Sequence, residues 1–152
     1  MTEPLRLSFR VNCSAEQAFR VWTARISQWW PADHTVSGEP GLDVVLEPWI
    51  GGRVFERTGD GTEHEWGEVT VWEPPRRLGY RWHLRRDRAD ATDVEVRFVD
   101  DGDASTRVDI EHDGWDRLGA GGPDWRQANQ AGWRGLLPHF ITFIHEERST
   151  YE

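Results

Sequence analysis

Apolar and polar residues alternate along most of this chain, and a helical period replaces the alternation near each end. From Leu5 to Val11 (LRLSFRV) every second residue is apolar, the pattern of a strand with one buried face. Ser14 with Gln17 three residues on is a capping-box pair that opens a helix through about Ala24, with Ala15, Ala18, Phe19 and Trp22 on its apolar side. A second short helix, Ile26 to Trp30, is stopped by Pro31, which has no N–H and disfavours helical geometry in the residue before it. After a loop from Pro31 to Gly41, six more strands are predicted: Leu42 to Glu47, Gly52 to Arg57, Glu63 to Glu73, Leu78 to Arg85, Thr92 to Asp100 and Ser105 to His112. The joins Gly51-Gly52, Asp60-Gly61, Pro74-Pro75 and Asp101-Gly102-Asp103 are turn sequences, so the strands follow one another as hairpins in an antiparallel meander.

Facing is readable in the last two strands. Val94, Val96 and Phe98 share a side with Val108, Ile110 and His112, while Asp93, Glu95, Arg97, Arg107 and Asp109 take the other. The strand Glu63 to Glu73 is ambiguous: alternation groups Trp66 with Thr70, and Val69 and Val71 compete for the same inner side. A bulge would satisfy both, and local pattern does not locate it. Trp82 falls with Tyr80 on the following strand.

From Pro123 to about Tyr151 the period becomes helical. Trp133, Leu136, Leu137, Phe140 and Ile144 form one stripe, with Gly135, Thr142 and Glu146 opposite. Pro123 suits a first helical turn, and Asp124 the positive end of the dipole. Toward the N-terminus the stripe continues through Arg126, Asn129 and Gln130, polar where a core helix would be apolar. Pro138 removes the hydrogen bond to the Arg134 carbonyl and predicts a kink, dividing an anchoring C-terminal half from an N-terminal half that covers a cavity. Together these elements predict an α+β fold in a single domain, residues 1–152. A curved antiparallel sheet of about seven strands wraps round a long C-terminal helix, with two short helices after strand one and space between sheet and helix.

Composition narrows the function. A net charge of −9 argues against sequence-independent nucleic-acid binding, which neutralises phosphates with basic side chains, and against anionic membranes. No apolar run approaches the roughly 18 residues of a membrane span. The single cysteine, Cys13, excludes an internal disulfide, and no signal-peptide pattern opens the chain, so a cytoplasmic setting is expected. All 18 basic residues are arginine, to which no mechanism attaches. Ten tryptophans suit either a thick core or an aromatic-walled cavity.

The shared order of several motifs resembles a known superfamily. They are Ala18-Phe19-Arg20-Val21-Trp22-Thr23 with Trp29-Trp30-Pro31, then Gly51-Gly52-Arg53, then Gly67 through Leu78 (GEVTVWEPPRRL) with Tyr80 and Trp82, and finally Gly132-Trp133 leading to Leu136-Leu137. Across nearly its whole length the chain is similar to the helix-grip fold of the START and Bet v 1-like superfamily, and within it to the C-terminal domain of activators of the Hsp90 ATPase. The resemblance implies a cavity between sheet and long helix. The superfamily includes lipid carriers, hormone receptors, polyketide cyclases and co-chaperones, so fold alone does not select a function. The sequence lacks the additional domain of a complete Hsp90 activator, which weighs against a co-chaperone role.

Motif chemistry is sparse. Six histidines yield no metal-binding spacing: His145-Glu146 begins an HExxH-like run, but Ser149 stands at the second histidine's place. Asp100-Asp101-Gly102-Asp103 lacks the distal glutamate of a calcium loop. There is no nucleophile elbow, P-loop or dinucleotide fingerprint, and no cofactor is expected. Cys13, just before the capping Ser14, is either a thiol activated by a helix N-terminus or a small core residue. His112 ends an inward-facing strand at the expected cavity mouth. It is either a hydrogen-bonded wall residue or the proton shuttle of a cyclase- or hydrolase-like enzyme. The expected pocket takes Trp66, Trp82 and His112 from the sheet, and Asn129, Gln130, Trp133, Leu137 and Phe140 from the helix. Binding of a small hydrophobic or aromatic molecule without catalysis is the leading expectation. A protein-interaction role is the alternative from another class, and an edge strand or a surface tryptophan could also support a homodimer.

Overall fold

The computed structural model describes residues 2–150, with side chains through Glu147; the helix end expected at Tyr151 and the side chain of Ser149 lie outside them. Strand β1 (Leu5–Val11) is followed by helices α1 (Ala15–Thr23) and α2 (Ile26–Trp29), then β2 (Asp43–Leu46), β3 (Arg53–Arg57), β4 (Glu63–Glu73), β5 (Arg77–Trp82), β6 (Thr92–Asp100), β7 (Thr106–Asp113) and the long helix α3 (Gly122–Thr150). The seven strands form one antiparallel sheet in the order β1-β7-β6-β5-β4-β3-β2. Each pair from β2 to β7 is a hairpin, as the turn sequences require. The first strand closes back on the last, with Leu5 opposite His112 and Val11 opposite Thr106. This is the α+β helix-grip arrangement.

Local chemistry sets the ends of the helices. Ser14 Oγ accepts from the Gln17 N–H at 3.2 Å, satisfying one of the first-turn amides of α1. Helix α1 then buries Ala15, Ala18, Phe19, Val21 and Trp22 against Trp72 and Phe98 of the sheet and Phe140 of α3. Helix α3 presses Trp133, Leu136, Leu137, Phe140 and Ile144 onto the concave face, with Gly135, Thr142 and Glu146 in solvent. It runs unbroken through Pro138, whose ring lies on the exposed side.

The inner face of β6 and β7 follows the alternation: Val94, Val96, Phe98, Val108, Ile110 and His112 are buried. Strand β4 departs from it. Register shifts occur where Phe55 pairs Glu65 but Val54 pairs Gly67, and where Val69 pairs Tyr80 but Val71 pairs Gly79. Trp66 and Thr70 are therefore the extra residues of two bulges, and each bulge reverses the phase. Trp66 and Val69 both turn inward, while Thr70, grouped with Trp66 by simple alternation, is exposed.

The first bulge also crowds the backbone. A Cβ on Gly67 would lie 1.8 Å from the Arg81 carbonyl oxygen of β5, so only glycine fits that approach. Gly67→Ala is expected to cost about 2 kcal/mol through forced strand separation. The check is a drop in the urea midpoint with an unchanged slope.

Candidate functional site

Ring packing fills most of the space between sheet and α3. Trp22 contacts Trp29, and stacks on Trp133 at 6.2 Å between centroids. From there, Trp29 touches Trp30, and Trp30 touches both Trp66 and Trp82. Seven of the ten tryptophans are buried, so tryptophan serves mainly as core here.

Three rings of the array, Trp30, Trp82 and Trp133, line one small cleft. A cleft of about 70 Å³ opens between the ends of the sheet and α3, walled by Trp30, Trp82, Leu84, Trp133 and Leu136. Its polar rim is His34, Asn129 and the backbone at Gly132. Asn129 turns its amide nitrogen back to the Trp125 carbonyl at 2.9 Å. His34 lies in a short 3₁₀ turn, Ala32–His34, within the loop between α2 and β2.

Of the eight residues expected at a pocket, the structure brings Trp82, Asn129 and Trp133 together at this cleft. Trp66 lies one ring deeper, in contact with Trp30 and Trp82. Leu137 and Phe140 are core, and Gln130 is half-buried on α3 outside the cleft wall. Trp30, expected at the end of the second short helix, and His34, from the loop that the sequence showed only as proline and glycine punctuation, complete the site. The Trp29-Trp30-Pro31 sequence was the available signal, since two adjacent indoles cannot both be buried by one short helix face.

His112 stands behind Trp133, fully buried, and its hydrogen bonds define its state. Trp133 Nε1–H is a donor only, and it reaches His112 Nδ1 at 3.0 Å, so Nδ1 carries the lone pair. Nε2 therefore carries the proton and donates to Thr92 Oγ1 at 2.6 Å, and that hydroxyl in turn faces the Trp82 carbonyl at 3.3 Å. The His112 carbonyl accepts from Trp115 Nε1 at 3.0 Å. Burial pushes the imidazole pKa down to about 3. A neutral ring with both nitrogens engaged joins α3 to β6 and β7 and has no nitrogen free for proton transfer.

A second buried polar centre lies on β3. Glu56 is fully buried and accepts from the Val36 N–H at 2.6 Å, the Ser37 N–H at 3.0 Å, the Ser37 hydroxyl at 2.7 Å and Trp66 Nε1 at 2.8 Å. Burial acts to raise its pKa, but the hydrogen bonds outweigh it and hold the carboxyl below its ordinary 4.5. Glu56 thus ties the loop carrying His34 to the tryptophan beneath the cleft. Among the described residues no cluster of His, Cys, Asp or Glu could hold a metal ion, and no helix is long and apolar enough to cross a membrane. Cys13 is buried.

Residues 12–142 match the family described as activator of Hsp90 ATPase homolog 1-like protein. The chain belongs to that family. Among solved structures it is similar to Txn09, an anthrahydroquino-γ-pyrone synthase, with 36% identity over 81% of this chain and 84% of that one and a TM-score of 0.56. It is also similar to CalC of Micromonospora echinospora, a self-sacrificing resistance protein, with 30% identity over 95% of each chain and a TM-score of 0.72. An Hsp90 activator from Plasmodium falciparum shares the fold at 20% identity, covering 94% of this chain and 96% of that one with a TM-score of 0.63. None of the curated proteins matches the chain. Family and fold agree with the resemblance carried by the sequence motifs.

Proposed function

We propose that this protein binds a planar hydrophobic or aromatic molecule at the cleft between the sheet and α3. The observation that carries the reading is that three tryptophans of the buried array, Trp30, Trp82 and Trp133, wall an apolar cleft with a narrow polar rim. Flat indole walls favour a flat ligand, because stacked and edge-on aromatic contacts add about 0.5–1.5 kcal/mol beyond area burial. At about 70 Å³ the cleft admits the edge of a ring and not a whole large ligand. Ligand pockets commonly reach roughly 300–1,000 Å³, so a polycyclic molecule would seat one end here and leave the rest outside. Txn09 supports this choice of ligand, since the product in its name is an aromatic ring system. The reading assigns binding and no reaction, because His112 is occupied as a structural link.

Gly132 makes the proposal testable without damaging the core. It lies on the cleft wall, and a Cβ there meets nothing within 4 Å. Gly132→Leu is expected to fill the cleft while gaining up to about 1 kcal/mol of helix propensity. In the wild type, naphthalene at ten times its dissociation constant should raise Tm by about 3–6 °C; the variant should start at an equal or higher Tm and show no such rise. No response in the wild type, in melting or in calorimetry, removes the reading. An equal response in the variant moves the binding elsewhere.

A further inference from the structure

The cleft's polar rim has a more specific chemistry than its walls. His34 Nδ1 lies 2.8 Å from Asp33 Oδ1, and Nε2 lies 3.2 Å from the Gly132 carbonyl of α3. The contact with His34 holds the Asp33 carboxyl below its ordinary range. An ionised carboxylate only accepts, so Nδ1 carries a proton and Nε2 is the variable atom. In the neutral ring Nε2 presents a lone pair toward an oxygen, a contact with no hydrogen to share. In the charged ring it makes a long bond to a carbonyl that the helix already uses for the N–H four residues on. Either way, exchanging Gly132 for another oxygen costs His34 little.

The surroundings hold this ring in place. Arg85 Nε and Nη2 donate to the Thr35 carbonyl at 2.9 and 2.7 Å, and Nη2 reaches the Asp33 carbonyl at 3.1 Å. Trp30 Nε1 donates to the His34 carbonyl at 2.9 Å. Arg85 has φ of +64°, a backbone conformation that non-glycine residues adopt at a cost of about 1–3 kcal/mol, and it aims the guanidinium at this turn. On the helix side, a Cβ at Gly135 would come within 3.3 Å of Nε2 and 3.4 Å of Cε1, so the imidazole lies against a surface cleared of side chain. Asn129, the other polar side chain on the rim, has its amide nitrogen engaged by Trp125.

We propose that the Asp33–His34 pair recognises a phenolic hydroxyl, so that the cleft selects hydroxylated aromatics over hydrocarbons of the same shape. A phenol oxygen can give its proton to neutral Nε2 or accept one from the charged ring, and so fits both states of His34. The ring it belongs to would insert its edge between Trp30, Trp82 and Trp133. This inference rests on the cleft being a ligand site.

Calorimetric titration with 2-naphthol and naphthalene, which differ only in the hydroxyl, separates the two claims. Wild-type protein should bind 2-naphthol about ten-fold more tightly than naphthalene, the worth of one hydrogen bond near a charged pair. His34→Ala should remove the preference, bringing the 2-naphthol and naphthalene constants to within about two-fold of each other. His34→Phe keeps a ring against Gly135 without the nitrogens and should behave the same way if the alanine variant folds poorly. Asp33→Asn, which no longer fixes Nδ1 as the donor, should reduce the preference in part. Equal binding of the two probes by the wild type, or a preference that survives in both His34 variants, overturns the proposal and leaves the cleft reading standing. A loss affecting both probes alike makes His34 a structural prop and also overturns it. Failure of the wild type to bind either probe removes both claims.

Discussion

Unfolding free energy measured by urea titration should fall by about 2 kcal/mol between pH 6.5 and 4.5 because of His112 alone. The folded imidazole, desolvated behind Trp133, has its pKa lowered from 6.5 to about 3, whereas in the unfolded chain it titrates normally. Between those values the unfolded state binds the extra proton. The contribution is therefore complete above pH 6.5 and is lost progressively as pH falls toward 3. The hydrogen bonds explain why the folded ring resists protonation: a proton on Nδ1 would face the Trp133 indole N–H, placing two donors together in a dry site. His112→Gln can still accept from Trp133 and donate toward Thr92 without titrating, so it should flatten the profile across this window. An unchanged slope in that variant would place the acid sensitivity elsewhere and would reopen His112 as a group that exchanges protons.

The same residue shows how far the sequence could be read. Its inward direction followed from alternation with Val108 and Ile110, and the structure agrees. Its chemistry did not follow, because its partners Thr92 and Trp133 lie 20 and 21 residues away and are brought to it by strand register and helix docking. The fold was largely legible for the complementary reason: hairpin turns, a capping box and a helical stripe are local signals. Register inside β4 was not, since a bulge changes which face a residue takes without changing residue type. Phe55 and Glu56 are a sharper case. Residue type alone would put the phenylalanine inside and the glutamate outside. Instead Phe55 is buried beneath Arg53 and Arg57, whose guanidinium carbons lie 4.2 and 5.4 Å from its ring centre, and Glu56 points inward.

The candidate site was legible in its helical wall and obscure in its loop. The helical period put Trp133 and Asn129 along one stripe, whereas alternation grouped Trp82 with Tyr80 without saying which face they take. Trp30 caps the short second helix, and His34 comes from the loop after it, a segment without periodicity that Arg85 and Glu56 hold from the strands and turn across from it. The interior also proved fuller than the helix-grip pattern suggests. Seven buried tryptophans supply enough ring area to occupy most of the grip, and a small cleft remains where the loop meets α3.

Glu56→Ala should be among the most damaging single substitutions, costing about 3–5 kcal/mol in urea unfolding. Four donors converge on this carboxylate, and removing it leaves the Trp66 indole N–H and the Val36 and Ser37 amides without acceptors, together with a side-chain-sized void. Glu56→Gln keeps the volume and one acceptor oxygen but turns an NH₂ toward groups that can only donate, so it should recover less than half of the loss. The pH behaviour is separable from that of His112. The folded carboxyl titrates below 4.5, so its stabilisation is complete above the unfolded value and disappears only as pH falls through the lower folded one. Acid unfolding should therefore have two stages, His112 from pH 6.5 downward and Glu56 below about 4.5. Because Glu56 also holds the loop that carries His34, hydrogen exchange in Glu56→Gln should accelerate first at Val36 and Ser37. Protection there equal to wild type would mean that Arg85 and Trp30 suffice to hold the loop, and that the buried carboxylate is not its anchor.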